Sequence, residues 1–415
     1  MKKPKLLFLL LAVVLLSCKK KQNDEGIQET THLMTIIFDG FIPNQMKAIV
    51  FISDGHGRLI SEKVCETNGT FVLKAPSGIQ VPQRFQVTLV RYELYWHNVL
   101  VTIRTFREIQ PATWKVTGFL PDTMGHSTFR MMNIPPHNGM FLYSTPGYAN
   151  YTFSTDPQEC LLYDNPSRFF VRFNSDAGGA KYKMVEQVIP GNIYDVNLSD
   201  AESLQQSWLS LTSPAVFYES KIWLTGGSNS PGTIPLQVDQ GFGDGTTVDQ
   251  IPLFFPPNPD YRARVSIFDD FTMNPEYIMN QYGSLPDHFT RIEAELEKMS
   301  QGVHSVSFEA SGKMDILSAE WEFMSTSNHI FQWSVSGPDS VRTFVLPDIP
   351  ISLTNIFPML SLDSLEFKCI QADDLFKAES YAEALNSLFN PSAPAWWDVT
   401  VSQDVASIRK KYTDW

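Results

Sequence analysis

The chain of 415 residues is 43% hydrophobic, 13% aromatic and 19% charged, with a formal charge of −13. It has enough apolar surface to fold and is too long for one compact core, which excludes wholesale disorder and favours two or three domains. The negative charge excludes a non-specific phosphate binder, so nucleic acid is not an expected partner.

Residues 1–18 read MKKPKLLFLLLAVVLLSC. Lys2, Lys3 and Lys5 precede the apolar run Leu6 to Leu16, then Ser17 and Cys18. The run is too short to cross about 30 Å of hydrocarbon with room for flanks, and it suits the core of an export signal. The ending Leu15-Leu16-Ser17-Cys18 resembles the lipobox of Gram-negative bacterial lipoproteins. That resemblance implies a signal peptide over 1–17, cleavage before Cys18, and acylation of its thiol and amine. The protein would then be held at the outer membrane, on its periplasmic face or at the cell surface. Several acyl chains hold firmly where one alone is marginal. Residues 18–31 are polar and charged, the composition of a flexible tether. No later stretch approaches 18 consecutive apolar residues. Cys65, Cys160 and Cys369 form no CxxC and no disulfide framework.

Strand patterns dominate the remainder. Over about 32–120, Ala48–Ile52, Leu59–Cys65 and Thr70–Leu73 are separated by Asp54-Gly55-His56-Gly57 and Asn68-Gly69, both strong turn signals. Phe85–Leu89 and Val99–Ile103 alternate with period two, as half-buried strands do. A β-sandwich is expected here. The arrangement of Val50, Phe51, Asp54, Gly57, Leu59, Thr67, Gly69, Phe71 and Leu73 is similar to carboxypeptidase-regulatory-like, transthyretin-type sandwich modules. In such modules these positions are structural.

A second β-rich domain is expected over 121–250, with Phe169–Phe173 and Tyr194–Leu198 as strands. The Gly- and Pro-dense segment from Gly226 to Pro259 reads as a boundary or long excursion. A linker with a short helix follows over 251–302: Phe289, Ile292 and Leu296 in Pro286–Ser300 share one helical face. A C-terminal β-rich domain spans 303–415. In it Val306 and Phe308 alternate, as do Ala319, Trp321 and Phe323, and Phe331, Trp333 and Val335. Val341–Leu346 reads as a further strand. Ala372–Phe389 reads as a helix. The expected fold class is therefore mainly β, with tandem Ig-like or transthyretin-like sandwiches and one or two short helices.

No catalytic constellation emerges. The eight histidines give no HxH, HExxH or HxxxH pair. Asp239, Asp244 and Asp249 lie on a Gly-rich segment, but their spacing of five differs from the alternating ligands of calcium loops. Thr225–Gly232 has Ser230 where a nucleophile elbow needs its second Gly. No cofactor or metal site is expected. Asp122-Thr123-Met124, Asp339-Ser340-Val341 and Asp363-Ser364-Leu365 resemble bacterial O-glycosylation sites. Tyr92, Tyr95, Trp96, Trp396 and Trp397 are the candidate ligand-contact aromatics, since such rings stack on sugars or anchor interfaces. The functional expectation is a cell-envelope lipoprotein acting as a non-enzymatic binding or assembly module. Its partners would be the membrane, through the lipid, and an envelope protein or a glycan. A fimbrial subunit, polymerising by strand addition, and a secreted hydrolase are the alternatives. The first predicts an unpaired sheet edge, the second a polar cleft with perturbed carboxylates, and a plain binder a shallow aromatic face.

Overall fold

A computed structural model of the chain describes residues 31–42, 46–95, 98–117, 123–146, 148–176, 178–224, 234–242, 247–257, 260–389 and 404–412, with only the backbone described at 93–95 and 242. Strands take up 63% of the described residues and helices 5%, so the mainly-β class holds.

Twelve strands form the largest sheet. In chain order they are β1 (Ala48–Ser53), β2 (Leu59–Cys65), β3 (Phe85–Tyr95), β4 (Asn98–Ile109), β5 (Phe217–Leu224), β6 (Ile234–Phe242), β7 (Tyr261–Phe268), β8 (Glu276–Gly283), β9 (Ile316–Met324), β10 (His329–Pro338), β11 (Glu366–Leu375) and β12 (Val405–Lys411). Across the sheet they run β6-β5-β7-β8-β12-β11-β9-β10-β4-β3-β1-β2. All neighbours are antiparallel except β10 and β4, which run parallel with Val99 opposite His329 and Phe106 opposite Ser336. Strands from the first, second and last expected regions thus share one hydrogen-bonded sheet.

Small sheets and two helices, α1 (Ile351–Ile356) and α2 (Tyr381–Leu388), cover parts of its faces. On one face, strands Gly69–Lys74, His32–Asp39 and Ala112–Thr117 pack with α2 over Val50, Ile52, Val87 and Leu89. On the other, strands Ala294–Gln301, Ser305–Gly312 and Thr343–Val345 pack with α1 over Ile103, Trp321, Trp333 and Ile370. Cover on both faces explains why β1 is buried at every position: Ala48, Val50 and Ile52 enter one core, Ile49 and Phe51 the other.

Between β4 and β5 in the chain lies a separate sandwich. Strands Tyr148–Thr152, His137–Thr145, Ser167–Ser175, Ala180–Val188 and Glu202–Ser203 face Gln158–Leu162, Gly125–Met132 and Ile193–Asn197. Phe129 and Phe169 stack at its centre, 3.7 Å between ring centroids. The outer face of its larger sheet, through Leu142, Phe170 and Tyr182, packs with Ile222, Leu236 and Val265 at the far end of the large sheet.

The turn between β1 and β2 follows its residues. The Asp54 carboxylate accepts from the backbone N–H groups of His56 (2.8 Å) and Arg58 (3.0 Å). Gly57 has φ +90°, and a Cβ there would stand 3.1 Å from Pro347 Cα, so glycine is required.

Three expectations are corrected. Pro286–Ser300 is not a helix: His288–Phe289 is a short strand and Ala294–Gln301 pairs with Ser305–Gly312. Ile292, Ala294 and Leu296 are buried at period two, and that pairing outweighs the coincident helical spacing of Phe289, Ile292 and Leu296. The expected linker over 251–302 is accordingly built largely of strands. The expected helix over Ala372–Phe389 shrinks to α2. Ala372–Leu375 ends β11, with Asp373 opposite Ile316, and the helix begins only after Ser380, whose hydroxyl accepts from Glu383 N. The Gly226–Pro259 segment contains β6 and the strand Val248–Phe255, both within sheets, while 225–233, 243–246 and 258–259 lie outside the described residues.

A polar groove across the large sheet

The face carrying α2 is covered only in part. Phe106, Ile316, Leu375 and Val405 belong to the core under α2. One step further along the same strands, the same face turns polar. Arg104 on β4, Ser318 on β9, Asp373 on β11 and Ser407 on β12 replace the apolar residues two positions away. Strand alternation forces this placement, because residues i and i+2 share a face.

Register then assembles rows across strands. Thr102, Gln332 and Glu322 align, as do Arg104, Ser334, Glu320 and Cys369, and Ser336, Ser318, Gln371 and Arg409. These side chains, with Arg264 and Ile278, line a groove of about 290 Å³. Its charges are balanced, with Arg104, Arg264 and Arg409 against Glu320, Glu322 and Asp373.

The groove is pre-organised by side-chain hydrogen bonds. Arg409 Nη2 donates to Glu320 Oε2 at 2.6 Å, and Arg409 Nε donates to Cys369 Sγ at 3.1 Å. Gln332 Nε2 donates to Glu322 Oε1 at 3.0 Å, Gln371 Nε2 to Asp373 Oδ1 at 2.7 Å, and the Ser318 and Ser336 hydroxyls meet at 2.8 Å. Burial first, then the adjacent Glu320 carboxylate, holds Glu322 above the usual carboxylate range. Burial pushes the Cys369 thiol up to about 12, so it is not a thiolate nucleophile at neutral pH. Burial works against the Arg409 charge, yet Glu320 and its other neighbours raise its pKa overall.

The sequence-predicted residues lie elsewhere. The Tyr92 ring meets Phe357 edge-on at 5.3 Å, and its hydroxyl accepts from Lys47 N at 3.1 Å, which ties it to the opposite face. Tyr95 ends β3, its side chain outside the described residues; Trp96, Trp396, Trp397 and Cys18 also lie outside them. Cys65, Cys160 and Cys369 are buried and free. The Ser364 hydroxyl donates to Ser361 O at 2.7 Å in a helical cap. Among the described residues no group of three His, Cys, Asp or Glu could hold a metal ion, and no helix is long and apolar enough to cross a membrane.

The groove residues themselves escaped the sequence reading, although half their signal was used. The alternations that mark Ala319-Trp321-Phe323 and Phe331-Trp333-Val335 as strands leave Ser318-Glu320-Glu322 and Gln332-Ser334-Ser336 as the complementary set. In comparison with known proteins, no family model and no curated sequence matches the chain.

Proposed function

We propose that this protein is a lipid-anchored envelope lipoprotein that binds a glycan in the polar groove without catalysing its cleavage. The observation that carries the reading is the groove floor: serine, threonine and glutamine side chains among charge-balanced arginines and carboxylates. Such a surface offers many oriented donors and acceptors and little net field, which suits an uncharged polyhydroxylated ligand. A protein interface of useful affinity would place aromatic or aliphatic anchors at its centre, and here the centre is polar. The lipobox-like Cys18 supplies the anchor in this reading, and residues 18–31 the tether.

The raised Glu322 beside Glu320 favours a hydrolase as second reading. Against it, both carboxyl groups are already engaged, Glu320 by Arg409 at 2.6 Å and Glu322 by Gln332 at 3.0 Å.

Calorimetry on the full chain in detergent, with maltohexaose, cellohexaose, xylohexaose and chitohexaose as probes, tests the proposal. Binding of at least one probe, weakened tenfold or more by Arg409→Ala, is expected; no binding, or binding indifferent to Arg409→Ala, overturns it. Chromatography of the same mixtures should show the probes intact, and shortened products would establish the hydrolase instead. Alkyne-palmitate labelling in a Gram-negative host should mark the wild type and not Cys18→Ala.

A further inference from the structure

A second cavity, of about 460 Å³, lies where the middle sandwich meets the β6 edge of the large sheet, and it shares no residue with the groove. Arg172 enters it from strand Ser167–Ser175, Asp239 from β6, Tyr218 from β5 and Phe254 from strand Val248–Phe255. Four separate strands thus converge on one small space.

The chemistry of that space differs from the groove. The Arg172 side chain is only 9% exposed, and its guanidinium lies over the Phe254 ring, 4.9 Å from the centroid. Its Nη2 stands 3.3 Å from Asp239 Oδ2, longer than the roughly 2.7–2.9 Å of a tight charge-assisted bond. The pair is therefore loosely closed, and Asp239 keeps a third of its side chain in solvent. A donor fork and an acceptor carboxylate sit side by side with capacity to spare.

Tyr218 is held as a rigid wall. It pairs across the strands with Gly241, where a Cβ would come within 2.1 Å of the Tyr218 ring, so the ring fills the space a side chain would take. Its hydroxyl makes no hydrogen bond to another described residue. On another wall, the Tyr151 hydroxyl donates to Val238 O at 3.0 Å and anchors the middle sandwich to β6.

From this geometry we infer that the Arg172–Asp239 pocket is a second saccharide site, which takes one neutral pyranose ring. Adjacent hydroxyls of such a ring match the pair: one donates to Asp239 while its neighbour accepts from Arg172. The C–H face of the ring lies against the aromatic walls of Tyr218 and Phe254. Because Arg172 and Asp239 compensate each other, the pocket selects a neutral sugar over a free carboxylate. The ligand class rests on the reading of the groove, but the residues are independent of it.

Native mass spectrometry of the full chain in detergent, with the same four hexasaccharides, separates the two claims, with folding checked by circular dichroism. Two bound sugars per chain are expected for at least one probe. Asp239→Ala should remove one, Arg409→Ala the other, and the double variant both. Tyr218→Phe, which keeps the ring, should weaken the second site about three- to tenfold and serves if Asp239→Ala fails to fold. A single bound sugar lost with Arg409→Ala and unaffected by Asp239→Ala and Tyr218→Phe overturns the second site and leaves the groove. A single sugar lost only with Asp239→Ala or Tyr218→Phe overturns the groove and leaves the second site. Binding to none of the probes overturns both.

Discussion

Strands β9 and β10 carry two faces of opposite character. On one, Trp321 and Trp333 are completely buried under α1 and its neighbouring small sheet, and Trp333 Nε1 donates to Thr105 Oγ1 at 2.9 Å. On the other, Ser318, Glu320, Glu322, Gln332, Ser334 and Ser336 line the groove. The backbone is the same, and so is the pairing. Cover makes the difference: an apolar lobe requires an apolar face, while a partly covered face can keep polar groups within reach of a ligand. Stability and recognition are therefore assigned to opposite sides of the same two strands.

Substitutions can break that division. The largest effect is expected at Trp333→Ala, which opens a cavity in the covered face and should cost about 3–5 kcal/mol in urea unfolding. Ser334→Ala, one residue away on the groove face, should change stability by less than about 0.5 kcal/mol. Next comes Arg409→Met, which strips the partner from the half-buried Glu320 carboxylate and should cost about 1–3 kcal/mol. Adding Glu320→Gln should recover part of that loss, and a double-mutant cycle measures it.

A subtler test uses pH. Glu322 is held above its ordinary pKa, so its ionised form opposes folding. Its contribution favours the fold below the ordinary Glu range and declines as pH rises through the raised value. Glu322→Gln should therefore gain stability over wild type at neutral pH and lose that gain in acid, as paired denaturation curves at the two pH values would show. The smallest perturbation concerns the thiols. Burial pushes Cys65, Cys160 and Cys369 each up to about 12. All three should stay silent to a thiol-reactive dye at pH 8 in the native protein and react on denaturation. A fast native reaction at Cys369 would show the groove to be more open than its packing indicates.

Much of the strand content was legible. Ala48–Ile52, Leu59–Cys65 and Phe331–Val335 could be read because alternation and turn residues are local properties. Pro286–Ser300 misled, since Phe289, Ile292 and Leu296 satisfy a helical spacing while Ile292, Ala294 and Leu296 satisfy the strand period that prevails. Ile351–Ile356 offered no cap or acidic first turn to announce its helix. The candidate aromatics drew attention to ring chemistry, whereas the groove is built from serines, glutamines and ion pairs that look like ordinary solvent-facing positions.

What the residues determined by themselves is the mainly-β class and the two-faced character of the alternating strands, because side-chain direction alternates with the backbone. Which face would be covered was decided only in three dimensions. Thr105 and Trp333, 228 positions apart, meet because β4 lies parallel to β10. No local pattern encodes that pairing, since it depends on the mutual fit of apolar faces contributed by distant parts of the chain.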